Sequence, residues 1–284
     1  LDCPGGGLRI DTIHAFAQYL LAAFPGEAGM LPGARPMEDR ERDLLSREVL
    51  SDLLAGGSPT VVEAIAEMSR RKGPDAVRGW LMRCARHMDL WQGSGSWQPP
   101  MQPRVHRLLG IPADADESWI AEACSDEAFD VASMRRCLST LEDWNTKGGR
   151  DASAAIKAWL AADTTGRAST IGSLHGTLFT ADGSKAKNLH HIAKRDPEFE
   201  EYAERVRHCV GSVNERAALI SLAGFLAPQL EAGRAFALAW DKAKEREGLV
   251  DFDDLIARAA SLLADGAMAD WIRYKLDRSF DHIL

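Results

Sequence analysis

The stretch IDTIHAFAQYLLAAF, residues 10–24, decides how the rest of the chain is read. Its apolar residues Ile10, Ile13, Phe16, Leu20, Leu21 and Phe24 recur at steps of three and four. That spacing puts them on one stripe of a helix, not on one face of a strand. Thr12 and His14 stand two residues apart at the mouth of the stripe. FPGEAGMLPGARP, residues 24–36, then breaks it with prolines and glycines.

The helical period returns at once. EDRERDLLSREVLSDLLAGG (38–57) reads as a helix whose closing glycine pair suits a left-handed C-cap. PTVVEAIAEMSRRKG (59–73) and PDAVRGWLMRCARHMDLW (74–91) read as two more, each with a proline in its first turn. QGSGSWQPPMQPRV (92–105) is a loop on composition. Ser118 is a suitable cap for one helix over 119–144, and Asp151 or Ser153 for another over 154–162. Between 166 and 197 β-branched residues and an Asp-Gly pair suit a short hairpin or an exposed loop. From Phe199 to about Arg246 the pattern is helical again, with Pro228 inside it to kink or split the run. No internal repeat is present. An all-α body is expected, with a sheet contribution only at the very end.

Composition narrows the class. The chain is 284 residues long, 45% apolar and 27% charged, as expected of a globular protein with a real core. A net charge of −8 argues against a surface that is basic all over, yet leaves room for a local basic patch. No apolar run reaches the ~18–20 residues that span a bilayer, and LDCPGGGLRI has no signal-peptide pattern. Cys3, Cys84, Cys124, Cys137 and Cys209 are odd in number and widely spaced, which favours reduced thiols and a cytoplasmic setting. Both ends read as cut: RSFDHIL (278–284) begins a β-branched, apolar run that has no bounding turn, so a fragment of a longer polypeptide is expected.

Three segments offer chemistry. In GLVDFDDLIARAASLL (248–263), Asp251, Asp253 and Asp254 are hard oxygen donors for a divalent cation, but the Gly and the distal Glu of a calcium loop are missing. Asp251 as a helix cap, with Asp253 and Asp254 in the first turn and Phe252, Leu255 and Ile256 facing inward, is the better reading. In DGSKAKNLHHIAKRD (182–196), Lys185, Lys187, Lys194 and Arg195 form the most concentrated positive segment, suited to phosphates or simply to water. His190 and His191 are adjacent and share no helix face, which argues against a two-histidine metal site. Most of the eight tryptophans fall on helical stripes; Trp97, in a Gly/Ser/Pro-rich loop, is the candidate for exposed base stacking. No phosphate loop, dinucleotide fingerprint, nucleophile elbow or H-E-x-x-H occurs, so the chain has no constellation able to catalyse unaided.

Taken in order, TIHAF early, LFTADGSKAKNL in the middle, a long helix, DFDDLI and YKLDRSFDHIL at the end resemble the UvrD/PcrA-like superfamily 1 DNA helicases. The similarity is nearest to the AddA subunits of alphaproteobacterial AddAB helicase–nucleases. It spans essentially the whole chain, though residues 40–165 are only loosely diagnostic. The resemblance implies a mainly α fold: a helical 1B-type subdomain over 36–246, with small pieces of the α/β RecA-like motor core 1A at 1–35 and 247–284. The phosphate loop would lie upstream of TIHAF and the Walker B sequence directly after HIL, so this piece alone would be inactive. Thr12 and His14 match the Thr-x-His motif that approaches single-stranded DNA, with Phe16 anchoring the helix in the core. Asp251, Phe252, Asp253 and Asp254 match the return into the motor core, with a coupling role and no metal.

The basic loop at Lys185, Lys187, Lys194 and Arg195 would face duplex DNA or a partner subunit. The implied parent is an ATP- and Mg2+-dependent 3′-to-5′ helicase acting on broken ends in bacterial recombinational repair, cytoplasmic and nucleoid-associated. An AddB-like partner and a nuclease domain elsewhere in the parent are implied too. The competing readings are an all-α protein-interaction module and, more remotely, a metal-dependent enzyme built on the Asp cluster.

Overall fold

The computed structural model describes residues 12–30, 34–264 and 266–276, and the protein is mainly helical. Among the described residues no helix is long and apolar enough to cross a membrane. The chain divides into two compact units: a terminal unit of residues up to Gln98 together with those from Pro228 on, and a central unit, Pro99–Ala227.

In the terminal unit α1 is Ile13–Ala23, opened by Thr12, whose hydroxyl accepts from the Ala15 N–H at 3.2 Å. β1 (Arg35–Pro36) leads into α2 (Asp39–Gly56), which starts on a reciprocal capping box between Glu38 and Glu41. The left-handed cap expected at its end is absent. Gly57 is extended at φ −74° and its N–H simply bonds the Leu53 carbonyl. α3 (Pro59–Lys72) and α4 (Pro74–Ala85) share Gly73 at φ 84°, a left-handed conformation that a side chain would resist. The single helix expected over 74–91 ends at Ala85, and a short α5, Met88–Trp91, follows. There the buried Trp91 indole N–H donates to the Cys84 carbonyl at 2.7 Å, adding to the His87 N–H that this carbonyl at the α4 end also accepts.

The central unit begins within the expected loop: residues 102–108 form α6 (Gln102–Leu108). α7 (Glu117–Glu122) and α8 (Val131–Trp144) replace the one helix expected over 119–144. Ser118 is not the cap. Asp116 and Asp130 are, accepting from the N–H groups of Ser118 and Ser133, because a carboxylate two or three residues upstream competes better for those donors. α9 (Lys147–Ala161) likewise opens on Thr146, well before the expected Asp151 or Ser153. α10 is Thr164–Leu178; an isolated antiparallel bridge, Phe179 with Ala186, then closes the Asp-Gly turn, and α11 is Leu189–Ile192. Segment 166–197 thus holds a helix before its hairpin-like turn.

α12, Phe199–Glu247, runs unbroken through Pro228 and contributes to both units. β2 (Leu249–Val250) pairs in parallel with β1, Arg35 opposite Leu249 and Pro36 opposite Val250. α13 (Phe252–Ala264) and α14 (Gly266–Leu276) complete the order. The sheet among the described residues is this two-stranded one; the strand expected at 278–284, like Ile10 and Cys3, lies outside them.

Each unit has its own core. In the terminal unit Leu20 and Leu21 of α1 and Phe24 just after it pack with Leu255 and Leu262 of α13 and Ile272 of α14. Gly233 of α12 sits so close to α4 that a Cβ would lie 2.7 Å from the Cys84 sulfur. The central core gathers Phe129, Met134, Ile156, Trp159, Phe179 and Val206 from five segments. Arg167 is buried among them. Its guanidinium donates to the carbonyls of Cys124, Trp159 and Leu160, ion-pairs with Asp126 and stacks on the Trp159 ring. Cys84, Cys124 and Cys137 are buried free thiols; burial pushes the first two up to about 11 and Cys137 up to about 12, so none is a ready nucleophile.

Candidate nucleic-acid interface

α1 and α13 lie side by side in the terminal unit, and their N-terminal residues meet at the surface. His14 is exposed, and its ring stands edge-on to Phe252, with centroids 5.2 Å apart at 81°. Phe252, expected inside, is 44% exposed, because it opens α13 one residue after the cap and only Leu255 and Ile256 reach the core cluster. Thr12 spends one lone pair on Ala15 and keeps its O–H. The N–H groups of Ile13 and His14 come too early in the helix to have a carbonyl four residues back within it. A hydroxyl, an imidazole, amides that have no partner among the described residues and an exposed aromatic ring therefore share one patch, which can receive a phosphate and a base. Phe16 is half-buried.

Behind this patch the acidic segment is tied down. Asp251 Oδ1 accepts from the Asp254 N–H at 2.8 Å, and Asp254 Oδ2 accepts from the Asp251 N–H at 3.0 Å, a capping box made of two aspartates. Between them lies the buried Lys244 ammonium, 3.2 Å from Asp251 and 2.5 Å from Asp254. Burial drives both carboxyls up. At Asp251 Lys244 and the Asp254 N–H outweigh it, and the group sits below the ordinary carboxylate value. At Asp254 they do not, and repulsion from Asp251 adds to burial, so this carboxyl sits above it. One ammonium cannot neutralise two carboxylates, and the second takes the cost. Asp253 is exposed and pairs with Arg86 at 3.4 Å.

The basic segment belongs to the central unit, and its four cations fare differently. The Lys187 ammonium donates to the Gly176 carbonyl in the last turn of α10, and the Arg195 guanidinium to the Asp143 carbonyl in the last turn of α8 at 3.0 Å. Both satisfy helix C-termini, where cations are favoured. Among the described residues the Lys185 and Lys194 ammonium groups have no bonding partner and remain exposed. Asp182 shapes the turn, accepting from the Thr180 hydroxyl and from the N–H and hydroxyl of Ser184; these bonds hold its carboxyl down at about 2. Trp97, expected as an exposed stacker, is half-buried. The exposed indole is Trp271, edge-on to Phe24 and 4.5 Å from the Lys275 ammonium.

Sequence reasoning missed Lys244, although a lysine at the end of a long helix seven residues before Asp251 was a usable signal. That Lys187 and Arg195 cap helices was not legible, since their acceptors are main-chain carbonyls, those of Gly176 and Asp143, chosen by how the helix ends fold back. No protein-family model matches this chain, and no curated protein matches it.

Proposed function

We propose that this chain is the part of an ATP-driven superfamily 1 DNA helicase, of AddA type, that grips single-stranded DNA and couples the grip to the motor. What carries the reading is that TIHAF and DFDDLI, more than two hundred residues apart, pack as α1 on α13 with His14 against Phe252. A second support is that the places where the resemblance has the chain leave and re-enter the motor core lie side by side in the β1–β2 ladder. The parent's α/β core, ATP, Mg2+, an AddB-like partner and a nuclease domain are implied by the resemblance.

In this reading Thr12 and His14 donate to a phosphate at the α1 N-terminus while Phe252 offers its ring to the adjoining base or sugar. The Lys244–Asp251–Asp254 knot holds the start of α13 in register with α12, so that movement of one reaches the other. Lys185 and Lys194 are the cations left to meet duplex phosphates. The test is a salt titration of single-stranded and forked DNA binding by this chain, its Thr12→Ala/His14→Ala variant and its Lys185→Glu/Lys194→Glu variant. The expected result is single-strand affinity lowered about tenfold by the first pair, and a shallower salt slope on forked DNA, by about one to two phosphates, for the second. Equal binding by all three overturns the interface and leaves the interaction-module reading.

A further inference from the structure

The central unit holds a cavity of about 340 Å³, at the small end of the ~300–1,000 Å³ range of ligand pockets. Its floor is apolar and buried: Leu141, Phe179, Phe199 and Val206. Its rim carries Trp144, Asp151, Lys187 and Asn188. Among the described residues the Asp151 carboxylate and the Asn188 amide have no hydrogen-bond partner. Lys187 spends one of its three N–H donors on Gly176. The rim therefore presents an acceptor, a donor and a group that does both, around a half-buried indole and above an apolar floor.

That mixture selects among ligands. An alkyl carboxylate would pair with Lys187 but bring its negative charge beside Asp151 and leave half of the Asn188 amide unpaired. A cation would pair with Asp151 but meet the charge of Lys187. A neutral planar heterocycle with alternating donors and acceptors on its edge satisfies all three groups and lays its face on Trp144. The geometry points to a nucleobase site in this cavity, the base entering between Trp144 and Asn188 with its polar edge on Asp151, Asn188 and Lys187. The base belongs either to a free nucleotide or to a nucleotide of a single strand. This inference goes beyond the helicase reading and stands independently of Thr12 and His14, which lie in the other unit.

Gly148, in the first turn of α9, supplies the blocking variant. A Cβ there would make ordinary contacts, 3.7 Å from the Asn188 amide nitrogen and 3.8 Å from the Trp144 ring. Gly148→Leu should therefore fold, gaining helix propensity, while its longer side chain fills the entrance. The experiment follows the Trp144 indole N–H resonance, with calorimetry in parallel, on adding deoxynucleoside monophosphates, short deoxyoligonucleotides or octanoate to the whole chain. Expected are saturable shifts with nucleotides and none with octanoate, at least tenfold weaker binding in Gly148→Leu, and an altered base preference in Asp151→Asn. Tighter binding of oligonucleotides than of monophosphates assigns the site to a strand, and the reverse to a free nucleotide. Absence of saturation by any nucleotide, an unchanged affinity in a folded Gly148→Leu, or equal binding of octanoate overturns the proposal.

Discussion

Among the described residues two cations are buried, one in each unit, and they are solvated in opposite ways. Lys244, 3% exposed, faces two carboxylates and has a third, Asp241, at 3.9 Å. Arg167, 8% exposed, faces three main-chain carbonyls and one carboxylate, Asp126, that itself remains in solvent. The difference follows from the two side chains. A guanidinium fork spreads its donors over several dipoles, whereas an ammonium is a compact charge that calls for countercharge. Around Arg167 the partners are neutral or wet and pH changes little. Around Lys244 the local charge is unbalanced, and protons can enter and leave a buried place next to the candidate DNA-binding patch.

Removing the lysine should break this comparison most visibly. Lys244→Met leaves two carboxylates buried without a counter-ion and is expected to cost about 3–5 kcal/mol in urea unfolding at neutral pH. The loss should shrink on acidification, because protonating the orphaned carboxyls relieves it; a deficit that ignores pH contradicts the arrangement. Arg167→Lys should cost roughly 2–3 kcal/mol, since a point charge cannot reach three carbonyls and those left buried lose their donors. That loss should be the same at mildly acidic and mildly alkaline pH.

A finer contrast lies within the acidic pair. Asparagine caps a helix as well as aspartate does, so Asp251→Asn tests the charge alone and should cost about 1–2 kcal/mol, whereas Asp254→Asn should stay within about 1 kcal/mol. The signs differ as well. Asp251, with its folded value lowered, stabilises above the ordinary carboxylate value of 3.8, and that contribution is lost as pH falls through the folded value. Asp254, with its folded value raised, makes stability decline as pH climbs from 3.8 through that value, and Asp254→Asn should abolish the decline. The smallest effect belongs to Asp182. Its carboxyl should titrate near about 2 in the folded protein, so its contribution is complete above 3.8 and fades as pH falls toward 2. A carbon-detected titration of the Asp182 carboxyl midpoint checks this.

Much of the helical layout is legible in the sequence. The helix within 10–24, the prolines opening α3 and α4 and the long run from Phe199 all reflect rules that act within a few residues, but of the expected stripe Leu20, Leu21 and Phe24 reach the core while Ile13 is 68% exposed. Asp251 was legible as a cap for the same reason. Where several capping side chains crowd one stretch, local reading picked wrongly: Ser118 for Asp116, and Asp151 or Ser153 for Thr146. At the site, the residue types of Thr12, His14 and the DFDD segment were visible, but Phe252 was turned the wrong way. One step along a helix is about 100°, and which step faces the core depends on the neighbour.

The chain on its own determined where helices start, stop and carry an apolar face, because hydrogen bonds and capping within a turn need nothing distant. Tertiary structure alone decided what those faces meet: His14 beside Phe252, Lys244 between two aspartates, and Lys187 and Arg195 drawn onto the ends of α10 and α8. It alone opened the cavity beneath Trp144 and Asn188. Such pairings and voids join residues from seven to more than two hundred positions apart. Their energies depend on burial and on the balance of charge, and neither exists until the chain has closed on itself.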